Sequence, residues 1–321
     1  MTSTLPAHVQ QVFDRFITTE YTTVDSKGQP IAWPVTPYYR PGDATIDVTT
    51  GIGYPKKAED ARRNPRVGLL FSDPTGSGLD DPPAVLVQGI AEVDDADLDA
   101  NRKRYREESL EKLPATKEMM PPKAMESMFS WYYERIYVKV RPERVFVWPG
   151  GDFNSEPTIH DAHLEEVRSG HIEEQPEAHP EAGGGAVAWD GRIEELGRRH
   201  SHAALAWIAP DGFPLSARLP VSCAREQGIV RIEGEPAGLP VLAGRACLAA
   251  HAHAPDFTWQ ENFQVRGDLA RAEDGWGLVP HKLIGGFELP DKSKAAVYLG
   301  NLRKSVRFYR TRRRLLKSRD A

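Results

Sequence analysis

Arg66-Val67-Gly68-Leu69-Leu70-Phe71-Ser72 lies between Asn64-Pro65 and the turn-forming Asp73-Pro74-Thr75-Gly76, and Arg245-Ala246-Cys247-Leu248-Ala249 answers it later in the chain. A short apolar run bounded by Pro, Gly and Asp reads as a β-strand. Val87-Gln88-Gly89 is echoed by Val265-Arg266-Gly267, and the turn Gly28-Gln29-Pro30 by Gly212-Phe213-Pro214. Landmarks that recur in one order predict an internal duplication of a β-rich unit.

Outward from these landmarks, the first copy reads as an amphipathic helix (Val9, Val12, Phe13, Phe16) and then strands at Tyr21–Asp25, Ile31–Tyr39 and Ala44–Thr50. A polar helix over Lys56–Asn64 follows, then strands at Arg66–Ser72 and Ala84–Val93, a helix within Asp94–Lys112 and strand material over Tyr132–Trp148. A helix with about six short strands suggests a small closed or partly closed barrel. The second copy repeats the order with a helix at Asp190–His200, a strand at Ala203–Ala209 and a turn at Pro210–Pro214. The domains expected are 1–150, an acidic Pro/Gly-rich linker 151–186 with a short helix around His163–Ser169, a second barrel 187–298, and a basic amphipathic C-terminal helix 299–321. That helix is expected to dock a Leu302, Val306, Tyr309, Leu316 stripe on the barrels.

A chain of 321 residues has room for two cores, and 40% hydrophobic with 27% charged residues is ordinary globular composition. No run of some eighteen apolar residues is present, and the first residues lack the pattern of a secretory signal. With Cys223 and Cys247 as its two cysteines and no CxxC, the chain is expected to be cytoplasmic with free buried thiols. A net charge of −5 gives no overall case for nucleic acid. All but His8 of the ten histidines fall from His160 onward, and His251-Ala252-His253 would share one face of a strand. No carboxylate–histidine spacing accompanies them, so neither a metal nor haem is expected.

The first half, over residues 10–148, resembles the pyridoxamine 5′-phosphate oxidase-like split barrels. The resemblance rests on Tyr21-Thr22-Thr23-Val24 with Gly28-Gln29-Pro30, Trp33-Pro34-Val35-Thr36, Thr49-Thr50-Gly51, and Lys57-Ala58 ahead of Asn64-Pro65-Arg66-Val67. It implies a mainly β (α+β) fold of two FMN-binding-type split β-barrels in tandem with flanking helices. It also implies FMN or coenzyme F420 as cofactor, and hydride transfer with a small organic substrate. The alternative is a non-catalytic protein that binds or sequesters a flavin, a deazaflavin or haem. Members of the family pair as homodimers; a tandem chain can form that pair within itself, and a homodimer of the chain stays open.

A flavin-type cofactor needs backbone groups beside its ring and cations at its phosphate. Thr49, Thr50, Gly51 and Gly53 are expected to offer hydroxyls and amides to the phosphate, with Lys57 first and Lys56 second as its cationic partners and Arg62 beyond. By resemblance, Trp33, Pro34, Val35 and Thr36 lie beside the ring. Tyr38, Tyr39 and Tyr54 are candidate proton donors. The second copy carries Glu233-Gly234-Glu235-Pro236 where the first has its lysine loop, and carboxylates repel phosphate. One cofactor per chain is therefore expected, walled by Trp259, Phe263 and Arg266 of the second copy.

Overall fold

A computed structural model describes residues 5–119, 129–161, 189–272, 275–285 and 294–319. The first half runs α1 (Ala7–Arg15), β1 (Thr19–Val24), β2 (Pro30–Val35), β3 (Ile46–Gly51), α2 (Lys56–Arg63), β4 (Arg66–Phe71), β5 (Ala84–Asp94), α3 (Leu98–Lys112), α4 (Ser130–Tyr133), β6 (Arg135–Trp148) and β7 (Thr158–Asp161). The second half runs α5 (Arg192–Arg199), β8 (His202–Ile208), β9 (Pro214–Ala224), β10 (Ile229–Ile232), β11 (Gly244–His253), β12 (Gln260–Ala272), β13 (Gly275–Gly285) and α6 (Lys294–Arg319).

The two halves share one topology. The first sheet is ordered β2-β1-β4-β5-β6-β3, and the second is a closed barrel whose order, read from β9, is β9-β8-β11-β12-β13-β10. Even the irregularities coincide, since the ladder slips at Gln88/Gly89 in one copy and at Arg266/Gly267 in the other. Both sites demand glycine: a Cβ on Gly89 would lie 2.6 Å from the Arg141 carbonyl oxygen, and one on Gly267 would lie 2.1 Å from that of Val279.

The copies differ at the seam. In the second, β9 and β10 pair from Val221–Ile232 to Ala224–Ile229 and close the barrel. In the first, the corresponding β2 and β3 are joined by a single bridge, Tyr38 to Asp47, with N–H···O distances of 2.7 and 2.9 Å. β2 also ends at Val35, short of the Ile31–Tyr39 strand expected from the sequence.

Alternation along the first sheet explains how the halves join. Val67, Leu69, Phe71, Val85, Val87, Val145 and Val147 fill the first barrel's interior. Their neighbours Leu70, Leu86, Phe146 and Trp148 point the other way, into a cluster continuous with the second barrel's core. Burial of both faces is why these strands read as unbroken apolar runs. Two buried glutamines cross the junction reciprocally, Gln88 Nε2 donating to the Pro214 carbonyl (3.1 Å) and Gln264 Nε2 to that of Ala32 (2.7 Å). Each runs from one copy's fifth strand to the start of the other's second, as a pseudo-two-fold pair requires.

The acidic stretch after 151 is not linker from its start. Phe153 is buried, and β7 pairs with β6 from Thr158–Val147 to Asp161–Arg144. The short helix expected around His163–Ser169 lies outside the described residues. α6 docks by Phe308 and Arg312, one helical turn apart; of the expected stripe Val306 and Tyr309 are about half exposed, Leu316 is partly buried, and the side chain of Leu302 lies outside the described residues. Cys223 and Cys247 are free thiols. Among the described residues no helix is long and apolar enough to cross a membrane.

Candidate functional site

The open seam of the first barrel is a cleft of about 320 Å³. Continuing past the Tyr38–Asp47 bridge would set Thr36 opposite Thr49, but the strands splay there and both residues line the opening. Pro34, Val35 and Thr36 form one wall, Thr49 and Lys57 a second, and Tyr105, Tyr132 and Arg135 a third. Thr18, Tyr38 and Tyr54 add to the first half's share, and the second half adds Phe257 and Gln260. The cleft is thus built by both copies.

Its charge is one-sided. Lys57 and Arg135 line it, and no aspartate or glutamate is among the described lining residues. Burial, reinforced by the Arg135 charge, pushes the Lys57 amino group down to about 8. Arg135 is buried between tyrosines, its guanidinium 3.9 Å from the centre of the Tyr105 ring and 4.1 Å from that of Tyr132. It donates to the hydroxyls of Tyr54 (3.1 Å) and Tyr105 (2.5 Å), while its Nε has no partner among the described residues. Aromatic faces and neutral hydroxyls lessen the cost of a buried cation without cancelling its charge. An uncompensated pair of cations with an orphaned N–H suits an anionic ligand group.

The residues singled out by sequence separate here. Pro34, Val35, Thr36, Thr49 and Lys57 meet in the cleft, together with Tyr38 and Tyr54. Trp33 is half-buried and does not line it. Thr50 is buried, and its hydroxyl donates to the Tyr54 carbonyl (2.9 Å). Lys56 turns instead to Asp60 (2.9 Å) and Asp25 (4.0 Å), and Arg62 pairs with Asp95 (3.0 Å). Tyr39 donates to Gln10 (3.1 Å).

The backbone cradle expected from Gly51 and Gly53 is already committed. The amides of Ile52, Gly53 and Tyr54 donate to the carbonyls of Glu134, Trp131 and Gly51. Trp131 and Phe308 fill the space over Gly53. Cations, not loop amides, give this site its anion character.

On the second-half side, Trp259 is 41% exposed, Arg266 donates to Gln264, and Phe263 packs near His200. Phe257, at φ +60°, and Gln260 take the place expected for those three. The Glu233–Pro240 loop touches the first half at two points, the Ala237 amide donating to the Phe153 carbonyl (2.8 Å) and Pro157 lying against Gly238, while Glu233 and Glu235 are exposed.

Sequence reasoning missed Arg135, Tyr105, Tyr132, Phe257, Gln260 and Thr18. The one local signal was Arg135 opening the apolar Ile136-Tyr137-Val138 strand, where a charge stands out.

Beside the cleft lies a buried polar cluster between the barrels. Arg218 donates to Glu20 (2.6 Å) and Ser72 (2.9 Å), and His251 lies 2.7 Å from Glu20. Burial alone would raise the Glu20 carboxyl, but Arg218 and then His251 hold it at about 2. Among the described residues no group of three or more His, Cys, Asp or Glu is placed to hold a metal ion.

No family model matches the chain, and no curated protein is a significant match. Solved structures similar to it include an F420 reductase (18% identity, TM-score 0.33, 44% of this chain and 98% of that one). A second is an FAD-binding protein from Mesorhizobium loti (21% identity, TM-score 0.30, covering 44% and 92%). A third, from Clostridium acetobutylicum, is related to general stress protein 26 of B. subtilis, in the pyridoxinephosphate oxidase family (13% identity, TM-score 0.31, covering 48% and 91%). Each spans less than half of this chain.

Proposed function

We propose that the chain is a flavin- or deazaflavin-dependent oxidoreductase that binds one cofactor per chain, FMN or F420, in the seam of its first barrel. The observation that carries this reading is a cleft lined by a buried arginine and a half-buried lysine, with an arginine N–H unpartnered and no carboxylate among the described residues that line it. Lys57 and Arg135 would neutralise the phosphate. Backbone groups of Pro34, Val35 and Thr36, on a strand edge that β3 leaves unpaired, would meet the polar edge of the ring, and Phe257 and Gln260 would close the opposite side. When bound, such a cofactor accepts or donates hydride. The protein's part is to hold the substrate carbon over the ring and to exclude water.

Closure of the corresponding seam by β9–β10 supports one site rather than two. Carriage of a cofactor without turnover is the second reading, because neither a histidine nor a carboxylate is among the described residues lining the cleft.

The test is absorbance of the purified full-length chain, apo and after incubation with each cofactor, followed by reoxidation with electron acceptors. A bound flavin absorbs at about 450 nm and a deazaflavin at about 420 nm. Retention with turnover supports an oxidoreductase, and retention without turnover supports a carrier. A chain that binds neither refutes both.

A further inference from the structure

We infer that Thr18 and His253 form a proton relay that takes a proton out of the cleft, so that the substrate is oxidised; this rests on the proposed function for its hydride acceptor. Thr18 lines the cleft, and its hydroxyl oxygen lies 3.3 Å from Nε2 of His253, a residue the second barrel supplies from the end of β11. His253 Nδ1 lies 2.9 Å from the Ala254 carbonyl oxygen, which can only accept, so Nδ1 carries the hydrogen. In the neutral ring Nε2 is then a bare lone pair, and the Thr18 hydroxyl donates to it. The relay at rest is therefore set to receive.

The surroundings of the ring suit that role. Asp73, from the β4–β5 loop, places a carboxylate oxygen 3.8 Å from Nε2. That is too far to compete with Thr18 for a hydrogen bond, but close enough to stabilise an imidazolium. His251 on the same strand stacks parallel to His253 at 6.4 Å, and the Phe257 ring lies at 5.3 Å. Behind His251 stand Arg218 of β9 and Glu20 of β1. Burial lowers the His253 imidazole below its ordinary value, which favours the neutral form. No histidine or carboxylate among the described residues reaches the cleft directly, so this two-residue path supplies the base that the cleft wall lacks.

The step balances as follows. The O–H or N–H bond of an alcohol or amine breaks, and its proton passes to the Thr18 oxygen as the proton of Thr18 passes to His253 Nε2. The electron pair left behind forms the C=O or C=N bond. A bound oxidised flavin or deazaflavin would supply the acceptor for the hydride that leaves as the adjacent C–H bond breaks. Thr18 is the residue in contact with substrate; His253 is a positioning residue that acts through it.

The test begins with imidazole ¹⁵N NMR of the full-length, cofactor-free chain. His253 should be neutral at pH 7, protonated on Nδ1 and bare on Nε2. Thr18→Val should move the Nε2 resonance and the titration of the ring, and Thr18→Ser should restore both. A second measurement is reduction of the FMN-loaded chain by a panel of primary and secondary alcohols and amines from acidic to neutral pH. Its rate should rise with deprotonation of His253 in wild type and Thr18→Ser, and lose that dependence in Thr18→Val. An Nε2-protonated ring, or a titration indifferent to Thr18→Val, overturns the relay. Failure of wild type to bind FMN or F420 overturns the proposed function instead, and the NMR result still decides the relay.

Discussion

Replacing Lys57 by methionine keeps an unbranched side chain, one atom shorter, and removes its charge. The amino group is lowered from 10.5 to about 8 by burial and by Arg135, and each pK unit is worth ~1.4 kcal/mol. The folded apo chain thus bears a penalty of about 3 kcal/mol for holding this charge. Residual solvent contact makes that an upper figure. Below pH 8 the folded and unfolded states are both protonated and the penalty stands in full. Between 8 and 10.5 the unfolded state binds more protons, so stability rises with pH and the penalty fades. Lys57→Met should therefore be more stable than wild type at pH 7, by up to roughly 3 kcal/mol, and gain little at pH 10.5. Phosphate should return the amino group toward its ordinary value, so the same variant should lose about a hundredfold in phosphate and FMN affinity. Wild-type affinity should fall about tenfold per unit above pH 8, as binding must recapture a proton. Denaturant titrations at the two pH values and calorimetry with inorganic phosphate and FMN measure these effects. A variant destabilised at pH 7 with unchanged affinity for both ligands would refute the reasoning.

Gly76 has φ +75°, and a Cβ there would lie 2.3 Å from the backbone oxygen of Pro255 in the other half; Gly76→Ala should cost about 1–3 kcal/mol in a denaturant melt, and an unchanged midpoint would mean these loops do not meet. Phe308 sits 4.9 Å from Trp131 and 5.3 Å from Tyr54; Phe308→Ala should free α6 to limited proteolysis, and equal protection would show that the Arg312–Glu134 pair holds the helix alone. Cys247 is fully buried and its thiol is pushed up to about 11, whereas Cys223 is half-buried. A thiol reagent should therefore leave Cys247 untouched until the chain is unfolded, and its prompt reaction in the native protein would contradict the packed interface.

Local pattern alone was enough for most of the first copy's strands and for the duplication, but not for β7 or for where β2 ends. Turn residues stop each strand, and Gly89 and Gly267 mark one bulge twice because a neighbouring carbonyl leaves no room for a side chain there. Lys57 was also legible, since it follows a strand and a glycine turn at the start of a helix. Which way the neighbouring side chains point was not: Lys56 and Lys57 are adjacent in sequence, yet one faces Asp60 and the other the cleft. Arg135, Phe257 and Thr18 reach the cleft from strands and turns far apart in the chain, and a single sequence carries no record of such long-range contacts. The open seam is the same kind of decision. β2 and β3 carry as much strand-forming sequence as β9 and β10, and only the tertiary arrangement joins one pair by a single bridge while it zips the other shut. Strand propensity is a property of a segment, whereas a cleft forms where two edges fail to meet, and that depends on everything packed around them.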